Sequence, residues 1–491
     1  MKKTNLIEIL STFTSKELKE FGDFIDSPYF NKSNNVNLLF SYLKKLHPDF
    51  PKESIEKEIV FKKVFNKDEY NDGFMRLQIH TLNKLAEDFI SISKFRQNNF
   101  LKDRFLLEYY VLDKKSPKLF ERKFNSVKEK NSRIEIKDAD YFLNEYEVEI
   151  LYGKYKFLID DNILNVTDLP KEEYFKKIEY LKANFFITIL NQYRFLLNTK
   201  SLLNVSYEDD FREVVIEYLN SHPDYMNIPV LKLHYLELML LLKDDEKYYF
   251  ELKSHLTDYF TSFSWGEKFS TMCILENFCL SMLYKDKMEY HEEKHALHKF
   301  IIEHKLFSKY EGGKITDTDF QNITSTGIRL GKLEWVEKFI AEYKDYLEDK
   351  DKENVMNLCY TKLSMHNKNF DKALEYLNRI TDIDDVNYKV SKKCITLEIY
   401  IEKGLFVEAL TFIDNFKHFV ANDNLMTETD KDRMSKYIKF TNDLIKIVTK
   451  KDPAEIHFFK KELDETNNVY NKRWLLKKAE ELITDKKKSY A

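Results

Sequence analysis

The chain has 491 residues, a formal net charge of −4, nine glycines and eight prolines. At roughly 2% each, against about 7% and 5% in an average protein, glycine and proline supply too little turn chemistry for a β-sandwich, a Rossmann sheet or long loops. A length beyond the roughly 250–300 residues at which one core stops growing predicts several domains or an elongated array.

The first predicted module covers residues 1–95. In TSKELKEFGDFIDSPYFN, Thr14 stands three positions before Glu17, a capping box, and Leu18, Phe21 and Ile25 follow at helical spacing. Ser27-Pro28 stops that helix, because the residue before a proline is pushed out of the α region. A second helix is expected around Val36 to Leu46, a third from near Ser54, and a fourth on Leu77, Leu82, Leu85 and Phe89. Residues 96–310 continue as helical patterns, among them Tyr141 to Phe157, Tyr174 to Asn198, Leu231 to Leu242 and Phe269 to Tyr284. Ser116-Pro117, Leu169-Pro170, His222-Pro223 and Glu311-Gly312-Gly313 punctuate them, and no proline occurs between Val230 and Asp452.

Residues 311–425 carry a repeat. LGKLEWVEKFI, NKNFDKALEYL and EKGLFVEALTFI align so that Leu333, Phe370 and Phe406 are followed by Val336, Ala373 and Ala409, then by Ile340, Leu377 and Ile413. The period of about 36 residues is close to the 34 of a tetratricopeptide repeat, in which a small residue lets one helix of a pair approach the other. The first helices match less well, with Thr324, Thr361 and Leu397 at the position where a small residue is usual. Residues 426–491 supply capping helices, since stacked pairs need a polar outer end. The expected architecture is all-α: a right-handed α-solenoid of antiparallel helix pairs, tetratricopeptide-like in its C-terminal part.

FGDFIDSPYFN, Phe21 to Asn31, together with the repeat block from about Thr318 to Phe419, resembles an uncharacterised family of bacterial proteins. Members pair an N-terminal SPYFN-containing helical module with a long array of tetratricopeptide-like helices. The resemblance implies the same order of modules here and implies no activity.

One stretch invites chemistry. In YHEEKHALHKF, His291, Glu292 and His295 spell H-E-x-x-H, which in a zinc peptidase puts two histidines on one metal and a general base between them. Glu293 and Lys294 are charged where such helices pack inward, and His298 and Ile301 stand where a Gly and a third His would extend the motif. We therefore read a solvated or inter-helix histidine face, with His291 and His295 as weak metal candidates and a zinc-dependent peptidase as the remote alternative. No phosphate-cradling glycine loop or nucleophile elbow occurs, so no cofactor and no enzymatic activity are expected.

Cys273, Cys279, Cys359 and Cys394 lack C-x-x-C spacing and sit in apolar helical patterns, as buried thiols of a reducing compartment do. The opening MKKTNLIEIL is too short and too interrupted for a signal-peptide core, and ANFFITIL falls far short of a membrane span of about 20 residues. A cytoplasmic protein without membrane insertion is expected. With 68 lysines against 11 arginines, the balance is poor for sequence-specific nucleic-acid recognition, which leaves nucleic-acid association through lysine-rich faces as the alternative. The favoured reading is a non-enzymatic scaffold or adaptor that offers a concave helical surface to a protein or peptide partner. Gln321, Ser325, Arg329, Lys362, His366 and Glu398 are the residues expected to line it.

Overall fold

The computed structural model describes residues 1, 4–66, 69–113, 115–158, 171–203, 209–347, 352–381, 386–423, 425–450 and 453–489. Among them every regular element is helical, and the single β-bridge, Ile315 to Leu347, is isolated. Two compact units form: Met1–Glu135 with Ala139–Phe185, and Ile136–Asp138 with Phe186–Ala491.

The first unit contains α1 (Asn5–Thr12), α2 (Ser15–Asp26), α3 (Asn34–Lys44), α4 (Lys57–Phe65), α5 (Asp72–Gln97), α6 (Asn99–Glu108), α7 (Pro117–Ser132), α8 (Ala139–Leu158) and the start of α9 (Lys171–Leu203). Thr14 and Glu17 form the expected capping box on α2, and Pro117 opens α7, where a missing N–H costs nothing. The α1–α5 core gathers Leu10, Phe21, Leu39, Val60 and Leu82, whereas Leu77 lies 59% exposed on the opposite side of α5. SPYFN is the hinge between α2 and α3. The buried Asn31 donates to the Ile25 carbonyl at 3.2 Å and accepts from the Ser33 N–H at 2.8 Å, so it ties the end of one helix to the start of the next. Phe30 stacks on Phe24 with centroids 4.0 Å apart, and Tyr29 points outward.

The second unit comprises the rest of α9, then α10 (Phe211–Ser221), α11 (Pro229–Lys243), α12 (Glu246–Asp258), α13 (Trp265–Tyr284), α14 (Tyr290–His304), α15 (Asp317–Arg329), α16 (Leu333–Tyr343), α17 (Lys352–His366), α18 (Phe370–Asn378), α19 (Val386–Glu402), α20 (Phe406–Asn422), α21 (Glu428–Lys450), α22 (Pro453–Glu465) and α23 (Lys472–Ser489). Sequence neighbours pack on one another, α11 on α12, α13 on α14, α15 on α16, α17 on α18 and α19 on α20, while α15 also meets α17. Leu333, Phe370 and Phe406 are each the first residue of a helix, three positions before the fully buried Val336, Ala373 and Ala409. On the partner helices Thr324, Thr361 and Leu397 are fully buried as well. Close approach at the α15–α16 contact comes from Gly327, where a Cβ would stand 2.5 Å from Val336 Cγ2.

The turns before those three helices are left-handed at equivalent positions, with φ of 69° at Gly331, 57° at Lys368 and 71° at Gly404. Lysine carries a Cβ penalty there that glycine does not. Lys368→Gly should therefore stabilise the second unit by about 1 kcal/mol; an unchanged or lowered urea midpoint would refute the strain. The four cysteines are free thiols, three of them buried and Cys273 half-buried. Among the described residues no helix is long and apolar enough to cross a membrane.

Candidate functional site

The expected lining residues divide into those brought together and those left apart. On α15 and α17, Lys362 donates to the Ser325 hydroxyl at 2.8 Å, and the next turn of α15 carries the exposed Arg329. Arg329 acts electrostatically on Lys362 and, on α19, on Glu398. Glu398 is only 7% exposed and accepts from the Asn471 amide at 2.7 Å. Gln321 is half-buried one turn before Ser325, with its carbonyl accepting from the Thr324 hydroxyl, and His366 is exposed in the last turn of α17. Neither joins the cluster.

Local periodicity does not reveal the other half of the site. Arg433 on α21 donates to the Tyr284 hydroxyl at 2.8 Å, and its guanidinium lies 5.4 Å from the Tyr284 ring centroid and 6.0 Å from that of Tyr470. Arg473, in the first turn of α23, reaches Met288 Sδ at 4.0 Å. The C-terminal helices thus return to the α13–α14 turn, and one polar side chain from each of α14, α15, α17, α19, α21 and α23 belongs to a cluster linked by contacts and electrostatics: His291, Arg329, Lys362, Glu398, Arg433 and Arg473. We call this the inner face of the second unit.

Burial sets the protonation of that face. Removal from water, with Glu402 adding repulsion, outweighs the hydrogen bonds from Asn471 and Tyr437 and pushes the Glu398 carboxyl up to about 7. Burial likewise lowers Lys362, with Arg329 adding to the effect. His291 is held down to about 4, first by burial and then by Arg329, Arg473 and Lys294.

The H-E-x-x-H stretch is an inter-helix histidine face rather than a solvated one. His295 is 2% exposed and meets the Trp335 ring edge-on at 4.4 Å, neither of its nitrogens having a hydrogen-bond partner. His298 is fully buried with Nε2 2.8 Å from Glu276. Burial and the cations Lys332 and Lys299 bring His295 down to about 4. A dication would meet the same positive field that disfavours the imidazolium forms. Glu292, where a peptidase places its general base, is exposed and ion-paired to Lys332 at 2.6 Å. Among the described residues no group of three or more His, Cys, Asp or Glu side chains is arranged to hold a metal.

One lysine-lined cavity elsewhere is neutralised. A cavity of about 600 Å³ between α20 and α21 is lined by Lys417, Lys431, Lys439 and Lys446. Each of these pairs with an acid: Asp414, Glu428, Glu462 and Asp443 respectively. No family model, curated protein or solved structure matches the chain.

Proposed function

We propose that the chain is a non-enzymatic interaction scaffold: a cytoplasmic right-handed α-solenoid of antiparallel helix pairs whose inner face receives a protein or peptide partner. The observation that carries this reading is the convergence of His291, Arg329, Lys362, Glu398, Arg433 and Arg473, one from each of six helices, on one face of the second unit. Helical arrays recognise partners through such assembled faces because stacked helix pairs present a wide, preformed surface at little ordering cost. The bacterial SPYFN-module resemblance supports the same order of modules.

The test is affinity capture from the native cytoplasm with wild-type chain and with the Arg329→Gln, Lys362→Gln double variant, side by side. A stoichiometric protein should be retained by the wild type and reduced at least about tenfold by the variant, as removal of central binding residues does. Equal retention by a variant of unchanged Tm would move the binding surface away from the inner face. Recovery of nucleic acid alone would replace the scaffold reading by nucleic-acid association.

A further inference from the structure

Of the six arginines in the second unit, four lie no more than 3.3 Å from a carboxylate: Arg194 beside Glu237, Arg212 beside Glu213, Arg379 beside Glu375 and Arg433 beside Asp430. The other two, Arg329 and Arg473, have no ion-pair partner among the described residues, and both act on the same side chain, His291. Lys362, the third cation of the face, is held by the neutral Ser325 hydroxyl. The nearby acids do not balance them. Glu402 is taken by Lys478 at 2.6 Å and by the Trp474 indole at 2.9 Å. Glu398 is held by Asn471, and its carboxyl is only partly ionised near neutrality.

Unneutralised cations gathered on one face raise the positive potential there and draw acidic groups to it. We propose that the inner face binds an acidic segment of a protein partner, with Arg329 and Arg473 each gripping a carboxylate and Lys362 extending the positive field. This rests on the scaffold reading and names the partner's chemistry. The guanidinium fork suits carboxylates through paired N–H···O bonds. Nucleic acid fits less well. Arg433 lies over both Tyr284 and Tyr470, and Tyr437 packs edge-on to Tyr470, so Tyr470 is covered and only Tyr284, 62% exposed, is open to a stacked base.

The test uses the full chain and a fluorescein-labelled hexaglutamate peptide, read by fluorescence anisotropy at low and moderate salt. Hexaglutamate should bind and hexaglutamine should not, with affinity falling as salt rises. The Arg329→Gln, Arg473→Gln double variant should bind about 100-fold more weakly, roughly tenfold per charge-assisted contact. Lys431→Gln with Lys446→Gln removes the same charge from the neutralised cavity and should leave affinity unchanged. Neither Arg329 nor Arg473 has an ion-pair partner among the described residues, so their variant should keep the wild-type Tm; if it does not, Arg329→Lys, which keeps the charge and loses the fork, replaces it and should still weaken binding. Absence of hexaglutamate binding, or an equal loss in the cavity variant, overturns the proposal, as does tighter binding of an oligothymidylate of similar length through the same arginines. If a captured protein partner depends on Arg329 and Lys362 while hexaglutamate fails to bind, the scaffold reading stands and only the acidic-segment assignment falls.

Discussion

Glu237→Ala should cost the second unit about 3–5 kcal/mol, the usual cost of removing one partner from a buried ionic network. Glu237 is fully buried on α11. It accepts from the Thr271 hydroxyl at 2.6 Å, faces His234 Nδ1 at 3.0 Å and lies 3.3 Å from Arg194 Nε. His234 also approaches Glu267 at 3.6 Å, and Glu267 belongs to the capping box that starts α13. Burial opposes charge on His234, yet the Glu237 and Glu267 carboxylates outweigh it and hold the imidazole above its ordinary value. Arg194, His234, Glu237 and Glu267 therefore form a balanced quartet, and truncating Glu237 strands one cation in a dry site. The chain's three tryptophans, Trp265, Trp335 and Trp474, all belong to the second unit, so urea unfolding followed by their fluorescence reports on it alone. A raised His234 contributes stability that is present below its ordinary pKa and lost as pH rises through the raised one. That component should disappear from the pH profile of the alanine variant. A midpoint change worth under about 0.5 kcal/mol would mean the quartet holds nothing together.

What was legible in the sequence was whatever repeats over one or two helical turns. Thr14 and Glu17 announce a helix start because a cap is a local arrangement, and Val336, Ala373 and Ala409 mark buried positions because tight helix contacts need the same small or branched residue each time. The same register placed Ser325, Arg329, Lys362 and Glu398 on related faces of α15, α17 and α19, and these four share a neighbourhood. His366 did not join them, because α17 ends at that residue, and Gln321 lies half-buried a turn away from the cluster. Arg433 and Arg473 were out of reach. Their contacts with Tyr284 and Met288 span 149 and 185 residues, and such long-range contacts sum many small packing angles that no local pattern encodes. The His234–Glu237 quartet was hidden for a different reason: polar residues on an amphipathic helix are ordinarily solvated, and only the surrounding helices reveal that these are not.

Glu398→Gln should stabilise the second unit in alkaline solution and leave it unchanged in acid. The ordinary glutamate pKa is 4.5 and the folded chain holds Glu398 at about 7. A carboxyl raised on folding binds its proton more tightly in the native state, so its contribution is fully present below pH 4.5 and is lost as pH rises through 7. The full difference corresponds to about 3 kcal/mol, at 1.36 kcal/mol per pKa unit. Glutamine keeps the oxygen that accepts from Asn471 and carries no proton to lose, so the variant should gain that amount at pH 8. The groups that set the shift are Glu402, which raises it, and Arg329, which opposes it, together with the Tyr437 and Asn471 hydrogen bonds. His291 and His295, held down to about 4, act in the opposite sense: they contribute stability above their ordinary 6.5 that is lost as pH falls through 4. That acid limb is common to both proteins and cancels in the comparison. Parallel urea-midpoint profiles for wild type and variant from pH 5 to 8 would show Glu398 already ionised in the fold and would remove burial as the source of its shift. Converging profiles at pH 5 that separate towards pH 8 would identify Glu398 as the charge that the inner face tolerates least.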